Sequence, residues 1–148
     1  MSLKNKIQQA LTEAMRARDD VTKIPLRLVM AAIKEAEIGS KEELTDQDVL
    51  RLVQKEAKAR LDTIADAEKA DRPDLIEQAE AELVILKKFL PEELSDEELS
   101  ALVQAVIEEI GASSMADMGA VMQALMPKVQ GRADGGKVSQ LVRQTLQG

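Results

Sequence analysis

The chain has 148 residues, a formal net charge of −7 and 45% apolar residues, with one aromatic (Phe89) and no cysteine, histidine, tryptophan or tyrosine. That composition excludes a disulfide framework, a thiol nucleophile, imidazole acid–base catalysis and the two commonest transition-metal ligands. It also removes the aromatic platform on which bases stack, and it requires an aliphatic core, which favours helices because straight-chain residues lose little rotamer freedom there.

The elements follow in chain order. Leu3, Ile7, Leu11, Ala14 and Met15 recur at three-to-four spacing and predict a first helix over about 2–18, broken by Asp19-Asp20. A second helix is expected to start near Ile24-Pro25, where a missing N–H matters least, and to stop at Gly39. Leu26, Leu28, Val29, Met30, Ile33 and the alanines cover most of its circumference, which marks it as the central helix of a bundle. Its polar stripe is Lys23, Arg27 and Lys34. A third helix opens at Thr45 with Asp46 and Asp48 in its first turn and runs to about Ala70. Its expected seam is Leu50, Val53, Ala57, Leu61 and Ile64, beside a second basic stripe of Arg51, Lys55 and Lys58. Both basic stripes are diluted by nearby acids, with Glu56 and Arg60 expected as an ordinary surface pair. After a turn at Asp71–Asp74, a fourth helix to about Phe89 places Leu75, Ala79, Leu83, Leu86 and Leu90 on one face.

Leu90-Pro91-Glu92-Glu93-Leu94 reads as a domain boundary. Ser95-x-x-Glu98 is a capping box that opens a fifth helix, which Gly111 ends. Ser114 and Asp117 open a sixth, expected to end about Met126, and Asp134 caps a seventh over about 135–147. No stretch alternates as a strand would. The reading is all-α: an N-terminal four-helix bundle-like domain over residues 1–90 and a small C-terminal three-helix domain over 91–148. No run reaches the ~18 apolar residues of a membrane span, and a cytoplasmic monomer is expected.

Function concentrates near the end of the chain. Gly131-Arg132-Ala133-Asp134-Gly135-Gly136-Lys137 forms a Gly-rich elbow in the one locally basic part of the second half. Residues 110–148 carry four bases, Lys128, Arg132, Lys137 and Arg143, against Asp117 and Asp134, whereas residues 91–109 carry seven acids and no base. The spacing from Gly131 to Lys137 fits GxxxxGK, but Val138 stands where a P-loop needs Ser or Thr, and no strand precedes it. What survives is a helix N-terminus with free N–H groups, two glycines and two cations, which suits an anion such as a nucleic-acid phosphate. A solvated helix–helix turn capped by Asp134 explains the same residues. Met115, Met118, Met122 and Met126 form one helical stripe, read as aliphatic core rather than as a binding groove. No nucleophile is assembled with a base, so no catalytic residue, metal ligand or cofactor is expected.

The block MGAVMQALMPKVQGRADGGKVSQLV at 118–142 resembles the GatB/YqeY family, specifically its free-standing YqeY-like proteins. FLPEELSDEEL at 89–99 and RPDLIEQAEAELVILKKFLP at 72–91 fit the same pattern. The resemblance implies an all-helical protein in two parts, akin to the tRNA-contacting tail of the B subunit of the tRNA-dependent amidotransferase. It implies tRNA, or an enzyme acting on aminoacyl-tRNA, as partner. By position, Lys128, Arg132, Gly135, Gly136, Lys137 and Arg143 are the residues that would meet it. A helical protein–protein adaptor is the alternative. Carbon–nitrogen ligase activity with glutamine as amido donor, which the family name suggests, is a third reading, for which the chain shows no catalytic constellation. The acids at 92–109 would repel a phosphate backbone if they faced the elbow.

Overall fold

A computed structural model of the protein describes residues 1–129 and 132–148; Gln130 and Gly131, the first glycine of the elbow, lie outside the described residues. Every regular element among them is helical: α1 (Leu3–Ala17), α2 (Asp20–Ser40), α3 (Asp46–Lys69), α4 (Pro73–Lys87), α5 (Asp96–Ile110), a short 3-10 turn (Met115–Asp117), α6 (Met118–Val129) and α7 (Gly135–Gln147). The chain divides into two compact units, Met1–Pro91 and Glu92–Gly148.

In the first unit each early helix is started by a side chain. Ser2 Oγ accepts from the Asn5 N–H at 3.1 Å, and Asp19 accepts from the N–H and the hydroxyl of Thr22 at 3.2 and 2.6 Å. Thr45 and Asp48 form a reciprocal box at the start of α3. Each such cap satisfies N–H groups that have no partner within the helix. α2 and α3 each touch all three other helices of the unit, so α2 is central, as its composition indicates. The core joins Ile7 and Leu11 of α1, Leu26, Val29 and Ile33 of α2, Val49 and Val53 of α3, and Leu83 and Leu86 of α4.

Several local expectations fail for identifiable reasons. α2 begins at Asp20 rather than near Ile24, because the Asp19 cap already closes its first turn. Pro25 therefore sits inside the helix, where it has no N–H to offer the Val21 carbonyl. α2 also runs through Gly39, and Lys41, at φ 61°, takes the left-handed closing position while its N–H reaches the Glu37 carbonyl at 2.8 Å. On α3 the buried seam is Val49, Val53, Ala57 and Ala67, while Leu61 is 53% exposed. Val53 and Ala57 are buried as the spacing predicts and Ile64 is partly buried, so the stripe keeps its direction, with Val49 buried in place of Leu50. Leu75 of α4 is likewise exposed. α6 continues through Pro127 to Val129 instead of stopping at Met126.

The largest departure is the Glu56–Arg60 pair, which is not ordinary surface. Arg60 Nη1 lies 3.4 Å from Glu56, and its Nε lies 3.5 Å from Glu82 on α4. Glu82 is the one buried charged residue among those described. The aliphatic stem of arginine lets it lie along the seam, and a charge taken out of water is tolerated only beside its opposite.

The second unit packs α5, α6 and α7 against one another around Leu99, Val103, Val121, Leu125, Val138 and Val142. The Ser95–Glu98 capping box forms as expected. Gly111, at φ 76°, closes α5 in the left-handed region that glycine occupies without strain. Asp117 accepts from the N–H groups of Ser113 and Ser114 at 2.9 and 3.3 Å and fixes the entry to α6. Met118, Met122 and Met126 are partly buried against this core, in agreement with their reading as aliphatic filler, whereas Met115, expected on the same stripe, is exposed.

The difference in burial between core and exposed leucines gives a direct expectation for stability. Leu86→Ala should lose about 2–5 kcal/mol in a denaturant titration, whereas Leu61→Ala should stay within about 0.5 kcal/mol of the parent. Equal losses at the two sites would show that Leu61 is core.

Candidate functional site

The elbow is built by two residues that tie it down. Arg132 donates its N–H to the Val129 carbonyl at 2.8 Å, and its own carbonyl accepts from the Leu94 N–H at 2.8 Å. Its guanidinium Nε donates to the Glu92 carbonyl at 3.0 Å. Asp134 then adopts extended backbone and caps α7, accepting from the Lys137 N–H at 3.3 Å. Gly135 and Gly136 are the first two residues of α7 and neither lies in the left-handed region. A Cβ on Gly135 would make an ordinary 3.8 Å contact with Met126, and one on Gly136 would press the Asp134 carboxylate at 3.2 Å. Gly136 thus keeps room for the cap.

The cations of the elbow are not bare. Lys137 Nζ is paired with the Asp96 carboxylate in the first turn of α5. Lys128 Nζ lies 3.5 Å from Glu109 at the other end of α5. Arg143 is exposed and makes no ion pair among the described residues. The acidic stretch therefore does face the elbow, through Asp96, while Glu109 meets Lys128 of α6. The pairing raises the Lys137 ammonium above its ordinary value, chiefly through the hydrogen bond to Asp96, then through the charge of Asp96, with Glu93 adding to it. Glu98 is held below the ordinary carboxylate range, first by its hydrogen bonds to the Ser95 side chain and N–H, with Arg132 contributing charge.

The position of Lys137 is unusual for a helix. It is the third residue of α7, whose first turn holds no acid. The N-terminal end of a helix is positive, so a cation there is placed against the local field. Asp134 and Asp96 supply the compensating negative charge. Beside this pair an open groove between α5 and α7 is lined by Leu99, Gln140, Leu141 and Gln144. Among the described residues no group of three His, Cys, Asp or Glu could hold a metal ion, and no helix is long and apolar enough to cross a membrane. The arrangement sets one cation and the first turn of α7 beside a single exposed carboxylate, Asp96. Sequence reasoning found the cations and the cap. It missed their acid partners, whose signal was the seven uncompensated acids at 91–109.

The sequence pattern of one family, described as Yqey-like protein, matches residues 4–146. The chain belongs to this family. An uncharacterized protein of Schizosaccharomyces pombe is 36% identical over 90 residues, covering 61% of this chain and 73% of that protein. The protein named altered inheritance of mitochondria protein 41, mitochondrial, of Pyrenophora tritici-repentis is 28% identical over 144 residues, covering 95% of this chain and 79% of that one. A component of the glutamyl-tRNA(Gln) amidotransferase of Thermococcus gammatolerans is 41% identical over 58 residues, which are 36% of this chain and 9% of that protein. Family membership and the all-helical fold thus agree with the resemblance carried by residues 118–142.

Titration of the elbow has a definite sign. The lowered Glu98 contributes stability that is present above the ordinary glutamate value of about 4.3 and lost as pH falls through its folded value. The raised Lys137 contributes stability present below the ordinary lysine value of about 10.4 and lost as pH rises through its elevated one. Glu98→Gln should make the acid side of a melting-temperature profile less steep, the lowered Asp19, Glu37, Asp48 and Asp74 keeping the remainder, and leave the alkaline side as it was. An unchanged acid limb would show that the capping box carries no linkage.

Proposed function

We propose that the protein is a non-catalytic helical accessory module of the cytoplasm, using no cofactor, that docks on tRNA or on an enzyme acting on tRNA through the elbow of its second unit. The observation that carries this reading is Lys137 in the first turn of α7, against the field of its own helix. Consistency between local rules and fold is the norm, and departures from it gather at functional sites. A phosphate satisfies the α7 N-terminus and Lys137 together, which the single Asp96 carboxylate does only in part. The Lys137–Asp96 pair is exposed, and exposed ion pairs add little stability, so a phosphate oxygen can take the place of Asp96. Arg132 keeps the rest of its guanidinium beyond the Nε bound to Glu92. The likeness to part of an amidotransferase named for its tRNA supports the choice of anion. Several fungal relatives are named as mitochondrial proteins.

The test is electrophoretic mobility shift of labelled tRNA at low salt, repeated over a salt series. Lys137→Gln should weaken binding several-fold and reduce the salt slope by about 1. Asp96→Asn, which removes the competing carboxylate, should tighten binding several-fold. If both variants bind as the parent does, the elbow is not the docking point. If the parent shows no shift at all, the adaptor reading replaces this one.

A further inference from the structure

α2 carries more apolar surface than its own bundle covers. Leu26, Val29 and Ile33 fill the core, yet on the opposite side Val21, Ile24, Leu28 and Ile38 are 51%, 42%, 46% and 69% exposed. With exposed Ala31, these residues alternate at spacings of three and four, and Glu35 occupies the position between Ala31 and Ile38. That alternation is the seam of a two-helix coiled coil. The seam has unlike flanks. On one side stand Asp20, Arg27, Lys34 and Lys41; Asp20 is paired with Lys23 at 2.8 Å, whereas Arg27 and Lys34 are exposed and in no ion pair among the described residues. On the other stand Pro25, Ala32 and Gly39, all uncharged. Glu37, the nearest acid facing the bundle, is already occupied by Lys4 at 2.7 Å and by the Leu44 N–H at 3.2 Å.

We propose that this outer face of α2 is a docking surface for an acidic amphipathic helix of a partner protein. The partner's apolar residues would cover Ile24, Leu28 and Ile38, its acids would meet Arg27 and Lys34, and one base would stand opposite Glu35. Charge selects this occupant. Two copies of the chain meeting antiparallel across the seam would bring Arg27 and Lys34 against their own counterparts, and meeting parallel would set them against Pro25, Ala32 and Gly39. The antiparallel arrangement sets Asp20 against a lysine at its ends, and neither arrangement gives Arg27 or Lys34 an acid. Nucleic acid fits the bases but leaves the apolar seam uncovered, and the seam has no aromatic ring on which a base stacks. A helix with an apolar stripe and acidic edge satisfies both. This surface lies in the first unit and stands independently of the tRNA reading of the elbow.

The probe is a labelled peptide the length of α2, 21 residues, with leucine and alanine at the heptad seam, glutamate on both flanks and one lysine placed to meet Glu35. Its counterpart carries lysine in place of the flanking glutamates. Binding to the full chain is followed by fluorescence anisotropy. The acidic peptide should bind about tenfold or more tightly than the basic one. Arg27→Glu with Lys34→Glu should reverse that order, and Leu28→Glu should abolish binding of both while circular dichroism and tRNA binding stay as in the parent. Should Leu28→Glu lose helicity, Ile38→Glu takes its place. Equal binding of the two peptides, binding of neither, or an unreversed preference in the double charge variant overturns the proposal. So does a dimer in sedimentation equilibrium that Leu28→Glu dissolves, which assigns the face to a second copy. Binding to phosphatidylglycerol vesicles that the same variant abolishes assigns it to a membrane surface, with the same consequence.

Discussion

Residue 132 is the point on which the second unit turns. Its carbonyl, its N–H and its guanidinium Nε are all engaged, two of them with residues about forty positions away. Together with Leu94, which is buried in the core below, these bonds hold the stretch before α5 against the stretch before α7. Both helices therefore begin at neighbouring points, and their opening turns share one electrostatic environment. α5 opens on Asp96, Glu97 and Glu98, which suits the positive end of a helix. α7 opens on Gly135, Gly136 and Lys137, which does not, and it draws its negative charge from Asp134 and from Asp96 of its neighbour. The elbow is a screened cation, not the bare one its own sequence suggests.

That screening shapes the functional reading. On the proposed reading, a phosphate approaching Lys137 would displace a carboxylate from a solvent-exposed pair, so that binding would be an exchange of partners with the acid as a built-in competitor. Such a site favours ligands that present several phosphates at fixed spacing over a single free anion, because only the former recovers contacts elsewhere along the surface. The first unit is organised differently. Its aliphatic core is complete without the outer face of α2, where isoleucine and leucine remain exposed beside cations on one flank. The two units thus offer surfaces of different chemistry, a polar one at the elbow and an amphipathic one on α2.

Much of the fold is legible from local sequence. The seven α-helices among the described residues follow from apolar period, and the caps at Thr45, Ser95 and Asp134 follow from short-range hydrogen bonding, which depends on residues three apart. The early start of α2 is a local matter, the Asp19 cap, whereas the other misses come from tertiary packing that local rules do not contain. Whether α3 buries Val49 or Leu50 is set by what α1 and α2 present to it. Lys41 accepts the left-handed conformation that local rules assign to Gly39, because the Glu37 carbonyl and the Leu44 N–H fix the chain just there. Glu82 is buried only because Arg60 lies on the facing helix. At the site, the cations and the α7 cap could be read directly, whereas the Asp96–Lys137 pair spans 41 residues and carries no local signature.

The most direct test is nuclear magnetic resonance of the full chain as tRNA is added, following the Asp96 carboxyl carbon together with the Lys137 and Val138 amides. An exchange of partners at the elbow should move all three together, with Asp96 shifting toward the value it shows in Lys137→Gln without tRNA. Saturable binding that leaves Asp96, Lys137 and Val138 unmoved would contradict it.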